Sequence, residues 1–375
     1  NLISTLIFSL SGLAMAGLQA NQHFLLPALA PILYDVGQIF GALVLAPTEP
    51  LKFGPVRLPA FGFGVDGLVY GVIIGALLHL LIQVPGLIKY QFRWHPRVDF
   101  KESYTRKVLR LMGPRVVSML FIQLIFLAQD NLGSRLSEGS VSALTYGWWI
   151  MQVPQTLIGT SIATAILPTL SEMFSNQQFE LLKERIERAA RVMITLTVPV
   201  AIVAGMVLLP VVRLFLGLDE AGTLRVANTS QIFLLGIVGH SLVELFVRSF
   251  YALQKPRVPL IGSAFTLVVF ILLGIVLSPM LEAVGIAAAN TIAYTLQTLL
   301  LLILLRKTLP EPLRLGKTTL KSLLAAALGG AAAYAVVNWA PKLAGSLIGA
   351  VAAFGVGILL AALILRKDLR EIADL

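Results

Sequence analysis

The chain has 375 residues, of which 57% are hydrophobic and 13% are charged, whereas roughly 25% are charged in an ordinary soluble domain. This composition indicates a membrane protein and excludes a soluble globular fold. The formal net charge is +10, and the chain contains no cysteine, which excludes disulfides and thiolate metal sites.

Eleven apolar stretches are close to the length of about 20 residues that a helix needs to cross a bilayer. In chain order they lie at 1–20, 27–46, 64–88, 108–132, 141–170, 187–216, 226–253, 258–279, 284–305, 318–339 and 343–365. Continuous apolar runs of this length are typical of helices, because barrel strands alternate over only about 10 residues. The sequence therefore predicts an all-α polytopic membrane protein with about eleven transmembrane helices.

Most of the lysines and arginines lie in alternate loops between these stretches. The basic loops contain Lys89, Arg93, Arg97, Lys101, Arg106, Lys107 and Arg110, then Lys183, Arg185, Arg188 and Arg191, then Arg248, Lys255 and Arg257, then Arg306, Lys307, Arg314, Lys317 and Lys321, and finally Arg366, Lys367 and Arg370. Because basic loops stay on the cytoplasmic side, we expect a cytoplasmic C-terminus. Orientation and contact with anionic lipid headgroups account for the net charge, so we expect no nucleic-acid partner.

The predicted topology bears on what precedes Asn1. Eleven spans with a cytoplasmic C-terminus place Asn1 outside the cell, yet neither an initiator methionine nor a basic-then-apolar segment precedes it. We therefore expect that an odd number of spans preceded Asn1 or that a signal was removed, and we interpret the chain as N-terminally truncated.

A weak internal repeat predicts two pseudo-symmetric helix bundles. The segments "QHFLLP" (22–27) and "QKPRVP" (254–259) each end one apolar span and begin the next, and both copies run in the same direction through the bilayer. Parallel repeats of this kind occur in transporters that are built from two bundles. The last two spans, from 318 onward, lie outside the repeat.

The segment 122–174 carries a more specific pattern. It reads "IQLIFLAQDNLGSRLSEGSVSALTYGWWIMQVPQTLIGTSIATAILPTLSEMF" and resembles the seventh and eighth helices of the MurJ/MviN family of lipid II flippases. The segments "LPALAPILYDVGQIFGALVLAP" (26–47) and "RSFYALQKPRVP" (248–259) resemble the fifth helix of that family and its turn between helices ten and eleven.

The resemblance implies a fold and a domain organisation. The family belongs to the multidrug/oligosaccharidyl-lipid/polysaccharide exporter superfamily, whose members have two six-helix bundles around a central cavity. It implies a three-helix remnant of the first bundle (1–88), a cytoplasmic linker (89–107), a complete second bundle (108–305), and two C-terminal helices with a cytoplasmic tail (306–375).

The resemblance also implies a function. Family members move lipid II, the undecaprenyl-pyrophosphate-linked peptidoglycan precursor, from the inner to the outer leaflet by alternating access. We therefore expect lipid II or a similar polyprenyl-pyrophosphate lipid and membrane lipids as partners, H⁺ or Na⁺ as a coupling ion, no cofactor, a monomer, and a location in the bacterial inner membrane.

The chain departs from the family in its eighth helix. Many members have "YADRL--FP" there, whereas Trp148 and Trp149 stand in this chain at the positions of the acid and the arginine. The alternatives are therefore a related exporter of another polyprenyl-linked oligosaccharide or of a drug, or a degenerate paralogue that does not transport.

Polar residues inside the spans are the candidate site residues. For substrate binding they are Arg115, Gln123, Gln129, Trp149 and Arg248, and for coupling or gating they are Asp35, His240 and Glu244. Ionisable residues within spans are functional candidates by default, and a guanidinium group can hold phosphate oxygens.

Each candidate also has a structural alternative. Arg115 is placed where it could snorkel to the interface, and Asp35 could be neutral or bonded between helices. The spacing of Glu244 and Arg248 favours an ion pair on one helix face. His240 could be simply hydrogen-bonded, and Trp149 could pack against neighbouring helices rather than contact a sugar or a lipid tail.

An enzyme or a metal site is not predicted. The four histidines, His23, His79, His95 and His240, are scattered, and the chain has no HExxH, DxD or GxSxG pattern. The segment 172–191 is charged and amphipathic, which predicts a connector that lies on the membrane surface.

Overall fold

A computed structural model describes residues 2–21, 23–50, 52–53, 56–92, 103–339 and 347–369. Within these ranges nine helices are long and apolar enough to cross a membrane, and Ile348–Ile364 is a shorter apolar helix. One of the nine, Arg257–Arg306, contains a reversal and supplies two of the predicted spans. The predicted all-α polytopic membrane fold is therefore confirmed.

The chain divides into two compact units, Asn1–Asp99 and Phe100–Leu375, and each is described by itself. The division of the chain into a first bundle, a linker, a second bundle and two last helices stays a prediction. The elements of the first unit are α1 (Leu2–Ala20), α2 (Leu25–Phe40), a π-helical turn (Gly41–Leu45), β1 (Lys52–Phe53), β2 (Val56–Arg57), α3 (Gly64–Leu81) and α4 (Val84–Lys89). The two short strands pair antiparallel, with Lys52 opposite Arg57.

The helices α2 and α3 cross with their backbones in contact. A Cβ atom at Gly71 would lie 2.6 Å from the Cα atom of Gly41, and one at Gly37 would collide with Gly75. Small residues permit this close approach between membrane helices. The first unit is therefore held together partly by backbone packing that larger residues could not make.

The second unit contains the remaining helices. These are α5 (Ser103–Gly133), α6 (Ser140–Gln155), a π-helical turn (Thr156–Thr160), α7 (Ser161–Ser175), α8 (Phe179–Leu216), α9 (Glu220–Ala252), α10 (Arg257–Arg306), α11 (Gly316–Trp339), α12 (Leu347–Ile364) and α13 (Arg366–Leu369). The segments α6, the π-helical turn and α7 are continuous and cross the unit as one bent helix.

The junction of α8 and α9 follows from local sequence. Gly217 adopts a left-handed conformation (φ 58°) directly after α8, which is a common way for a helix to end. The carboxylate of Asp219 then accepts a hydrogen bond from the Gly222 amide at 3.0 Å and caps α9. These two residues turn the chain between two long helices within three positions.

The helices α8 and α9 form the core of the second unit. The side chains of Phe233, Phe246 and Phe250 on α9 are fully buried, as are Leu182 and Ile186 on α8. The predicted connector at 172–191 is largely absorbed into this core, because α8 already begins at Phe179 and buries its apolar face from Leu182 onward.

The helix α10 doubles back on itself at one residue. Glu282 has non-helical torsion angles (φ 52°, ψ −134°), and a methyl group at Gly285 would collide with the carbonyl of Leu277. The carboxylate of Glu282 accepts a hydrogen bond from the Ser137 hydroxyl at 2.9 Å and lies 3.9 Å from the Arg225 side chain. The two halves of α10 are thus two successive crossings that are joined without a loop.

Candidate functional site

A cationic side chain of α5 meets an aromatic ring of α9 within the second unit, close to an ion pair on α9. The guanidinium carbon of Arg115 lies 5.7 Å from the centre of the Tyr251 ring, which is a cation–π distance. One turn before Tyr251 on α9, Arg248 pairs with Glu244 at 3.0 Å. We call Arg115, Glu244, Arg248, Tyr251 and Thr164 the arginine cluster.

The π-helical turn Thr156–Thr160 and α7 supply further partners for Arg248. The guanidinium group of Arg248 donates hydrogen bonds to the hydroxyl of Thr164 and, at 3.3 Å, to the carbonyl of Thr160. The Thr164 hydroxyl donates in turn to the same carbonyl at 2.6 Å. Oxygen atoms from two helices therefore fix the direction of this side chain.

The arginine cluster carries an excess of positive charge. Its charged members are the guanidinium groups of Arg115 and Arg248 and the carboxylate of Glu244. Arg115 is exposed, whereas 20% of the Arg248 side chain is accessible. Guanidinium groups bind phosphate oxygens through paired hydrogen bonds. The cluster is thus suited to an anionic group that approaches from the exposed side of Arg115.

Local sequence explains how the cluster forms. Glu244 and Arg248 are four residues apart on α9, and the ion pair that this spacing predicts is confirmed. On the facing helix, Pro154 removes one amide donor, and the π-helical turn Thr156–Thr160 follows it. The bend brings the backbone at Gly159 against Ser241 of α9, where a Cβ atom would lie 2.6 Å from the hydroxyl.

His240 lies in a second, buried polar position of the same unit. Its Nε2 atom is 3.0 Å from the Oδ1 atom of Asn290, and its ring stacks on Tyr294 with centres 3.8 Å apart. The Trp148 ring meets it edge-on at 5.4 Å. His240 is therefore held by a hydrogen bond and by two aromatic rings, as the structural alternative expected, and its coupling role stays a prediction.

The polar residues of α5 have different environments. Gln123 and Asp130 are exposed, whereas Gln129 is buried and its Oε1 atom has no hydrogen-bond partner in the structure. Gln129 is thus an acceptor that a ligand or water could satisfy. No described contact joins Gln123 or Gln129 to the arginine cluster, so their substrate-binding role stays a prediction.

The adjacent tryptophans point into different surroundings. Trp148 packs edge-on against the Phe126 ring with centres 5.1 Å apart, and it also contacts the His240 ring. Trp149 exposes 58% of its surface and meets the Tyr146 ring at 5.9 Å. An exposed indole within a membrane helix can contact either lipid or a bound sugar.

Asp35 belongs to the first unit. It lies on α2 and is exposed, so its charge is not buried within that unit. Among the described contacts it has no ion pair. Its coupling role stays a prediction.

Three polar groups escaped the sequence analysis. Tyr251 could have been found, because it follows Arg248 by three residues on the same helix. Glu187 lies four residues from both Lys183 and Arg191, which also predicts pairing. The contact of Ser11 with His79 spans 68 residues of sequence, and no local pattern signals it.

Within the described part of the chain, no group of three or more His, Cys, Asp or Glu could hold a metal ion.

Comparison with known proteins gives consistent matches. The family model described as Lipid II flippase MurJ matches residues 1–351. A relative from Burkholderia cenocepacia, named lipid II flippase MurJ, is 28% identical over 306 residues, which cover 80% of this chain and 57% of the relative. A relative from Thermotoga maritima, named probable lipid II flippase MurJ, is 30% identical over 284 residues, which cover 73% of this chain and 52% of the relative.

A solved structure shares the fold. Lipid II flippase MurJ in an inward closed conformation matches with a TM-score of 0.70 at 20% identity, over 97% of this chain and 72% of that chain. The chain spans just over half the length of the curated relatives, 57% for the one from Burkholderia.

Proposed function

Because the chain belongs to the family of lipid II flippase MurJ, we propose that it moves lipid II from the inner to the outer leaflet of the bacterial inner membrane by alternating access. It acts as a transporter rather than an enzyme, as a monomer, with its C-terminus in the cytoplasm. Its multi-pass membrane fold supports this assignment.

The physical task is to carry a charged headgroup across hydrocarbon. Moving an ionised pyrophosphate and its sugars out of water without partners costs far more than several kcal/mol. A transporter lowers this cost by replacing water with polar side chains while the polyprenyl tail remains in lipid. Cations that are held within the helices are therefore the groups to look for.

The arginine cluster is the observation that carries the proposal. Arg115 and Arg248 bind the pyrophosphate of the headgroup, while Glu244, Thr164 and Tyr251 hold the two guanidinium groups in place. The exposed Trp149 stacks on a sugar, and Gln123 and Gln129 offer amides to the headgroup. Of these, Gln129 already has a buried acceptor without a partner.

Coupling to an ion gradient involves Asp35, His240 or Glu244. Glu244 is coupled to the headgroup site directly, because it shares Arg248 with the anionic ligand. Binding of a phosphate by Arg248 would loosen this ion pair and make Glu244 available to H⁺ or Na⁺.

Reconstitution tests the headgroup site. In liposomes with fluorescent lipid II, Arg115→Gln and Arg248→Gln should each weaken lipid II binding by about tenfold to about a hundredfold, because a hydrogen bond to a charged group contributes about 1.5–3 kcal/mol. Flipping is measured as the appearance of the fluorophore in the outer leaflet.

Arg135→Gln is the matched control. Arg135 is an exposed arginine beyond the end of α5 that bonds to Asn131, so its loss should leave binding and flipping unchanged. Equal binding by wild type, Arg115→Gln and Arg248→Gln would reject the arginine cluster as the headgroup site.

A different polyprenyl-linked cargo is the second candidate. Trp148 favours this candidate, because it stands where many family members have an acidic residue. Its ring packs on Phe126 and His240, so no carboxylate is available at this position. Competition by other polyprenyl-pyrophosphate lipids in the same assay decides between cargoes. Restored growth of a flippase-depleted strain would support lipid II and would exclude a paralogue that does not transport.

A further inference from the structure

Three polar side chains are buried side by side in the first unit. Ser11 of α1 and Gln83, between α3 and α4, are 0% exposed, and His79 in the last turn of α3 is 8% exposed. The Ser11 Oγ atom lies 2.7 Å from the His79 Nδ1 atom and 2.6 Å from the Gln83 Nε2 atom. We call these three residues the His79 network.

The distances are compatible with two arrangements of hydrogens in the network. The Gln83 amide nitrogen can only donate, and it donates to the Ser11 oxygen and, at 2.8 Å, to the His79 carbonyl. When the His79 Nδ1 atom carries no hydrogen, the Ser11 hydroxyl donates to it at 2.7 Å. When Nδ1 carries a hydrogen, Nδ1 donates to the Ser11 oxygen, and the Ser11 hydroxyl donates to the His79 carbonyl at 3.3 Å.

One acceptor atom of the His79 network lacks a hydrogen-bond donor. The Oε1 atom of Gln83 is buried and has no hydrogen-bond partner. Buried polar atoms in proteins are almost always paired, so an orphaned acceptor indicates a missing partner. The three side chains are each more than nine-tenths buried within membrane helices, and the Gln83 Oε1 atom among them can still accept a hydrogen bond. Together they form a polar binding site inside an apolar unit.

The network can take up a proton without additional space. The proton passes from hydronium to the His79 Nδ1 atom and leaves water behind, and the new N–H group donates to the Ser11 oxygen. The Ser11 hydrogen is then released and turns to the His79 carbonyl oxygen, which lies 3.3 Å from the Ser11 oxygen, while the Gln83 amide nitrogen keeps donating to the same carbonyl at 2.8 Å. A metal cation fits less well, because hard cations take oxygen ligands and the central acceptor is a nitrogen.

The surroundings make the bound proton responsive to conformation. The ionisable residues of the packed elements are Tyr34 and Asp35 on α2, Asp66 and Tyr70 on α3, and Lys89 on α4, while α1 has none. Among the described contacts none of them bonds to His79, and the Phe8 ring covers it at 5.2 Å. The end of α3 favours a cation, but burial without a counter-charge opposes it. Proton uptake therefore favours an arrangement in which the imidazolium reaches water.

We propose that Ser11, His79 and Gln83 form a proton-binding site in the first unit, and that the proton bound there takes part in coupling lipid transport to an ion gradient, in addition to the candidate residues Asp35, His240 and Glu244. The second half of this proposal rests on the proposed function, whereas the first half does not. Nothing in the network depends on the arginine cluster of the second unit.

Nuclear magnetic resonance tests the site directly. The chain has only four histidines, so a sample with ¹⁵N-labelled histidine in lipid nanodiscs gives few imidazole signals. We expect the signal of His79 to change as the pH is lowered from about 8 to about 5, the range over which histidine ordinarily changes its charge. It should disappear in His79→Asn, shift its midpoint in Ser11→Ala and in Gln83→Leu, and stay in place in the matched control His23→Asn.

Two outcomes would overturn the site. One is a His79 signal that does not change over this pH range, and the other is a signal that responds to sodium at constant pH but not to protons. Both measurements use the full chain without lipid II, so they are independent of transport.

Flipping under an imposed pH step tests the coupling. We expect a pH step without sodium to change the flipping rate of the wild type several-fold and to leave the rate of His79→Asn unaffected. An equal response of both proteins would overturn the coupling role. A titrating His79 in a chain that flips no lipid II would reject the proposed function and uphold the proton site.

Discussion

At the residue scale, Glu187 is a charged side chain that is only 3% exposed. Its carboxylate accepts hydrogen bonds from the Arg191 side chain and, at 3.1 Å, from the main-chain N–H of Arg314, and it lies 3.3 Å from the Lys183 ammonium. Arg314 belongs to the segment between α10 and α11. One carboxylate thus joins α8 to the chain that leads into the last helices.

Replacing Glu187 should destabilise the second unit. In Glu187→Gln the partner cations lose a charged acceptor in a buried place, which costs about 1–3 kcal/mol. We expect a clear fall in the thermal unfolding midpoint of the purified protein in detergent. The matched control is Glu184→Gln, because Glu184 makes the same four-residue pairing with Arg188 at an exposed position. Equal midpoints for the two variants would contradict this role of Glu187.

At the element scale, the crossing of α2 and α3 depends on glycine. Gly71→Ala places a methyl group 2.6 Å from the Cα atom of Gly41, which neither backbone can avoid without moving. We expect a loss of about 1–3 kcal/mol, the usual cost of overpacking, measured as a lower unfolding midpoint. The control is Gly12→Ala on α1, where no atom lies within 4 Å of the new methyl group. A stable Gly71→Ala protein would contradict this packing.

The reversal within α10 stores backbone strain. Glu282 has a positive φ of 52°, which costs a residue with a side chain about 1–3 kcal/mol. Glu282→Gly and Glu282→Ala both lose the contacts with Ser137 and Arg225, but only glycine relieves the strain. We therefore expect the glycine variant to unfold at the higher temperature, and the opposite order would show that the turn is not strained.

The helical elements could be predicted because hydrocarbon requires long apolar runs. Their ends were harder to predict. The sequence around Glu282 offers no glycine at the turning residue itself, so the joining of two crossings without a loop has no local signal. The charged and amphipathic segment 172–191 predicts a connector, yet its apolar residues from Leu182 onward pack as the first turns of α8.

At the scale of the whole molecule, the distribution of basic residues predicts the orientation in the membrane. The chain has no cysteine, so thiol labelling of a variant with one introduced cysteine shows which side of the membrane that residue faces. Ser134 after α5 and Lys307 after α10 are both exposed and lie in connections that the basic-residue pattern assigns to opposite sides.

Labelling of intact cells with an impermeant maleimide tests the orientation. We expect Ser134→Cys to react from outside and Lys307→Cys to react only after the membrane is opened. The reverse pattern would place the C-terminus outside the cytoplasm. A permeant maleimide, which should label both, is the control for accessibility of the thiol.

The candidate site could be predicted only where its contacts are local. The pairing of Glu244 with Arg248 follows from helix geometry, whereas the contact of Arg115 with Tyr251 depends on how α5 and α9 come together. The same holds for Ser11 and His79, which are brought into contact by the packing of α1 against α3. Such contacts are set by the three-dimensional arrangement, and one sequence without aligned relatives does not contain them.

The π-helical turn Thr156–Thr160 has a mechanical consequence for the wall that faces Arg248. Such a turn holds one residue more than an α-helical turn, so each residue that it passed by moving along the helix would rotate by about 100° and advance by about 1.5 Å. If the turn moved past Thr164, the hydroxyl of Thr164 would turn away from Arg248. The guanidinium group would then be held by Glu244 of its own helix rather than by the facing wall.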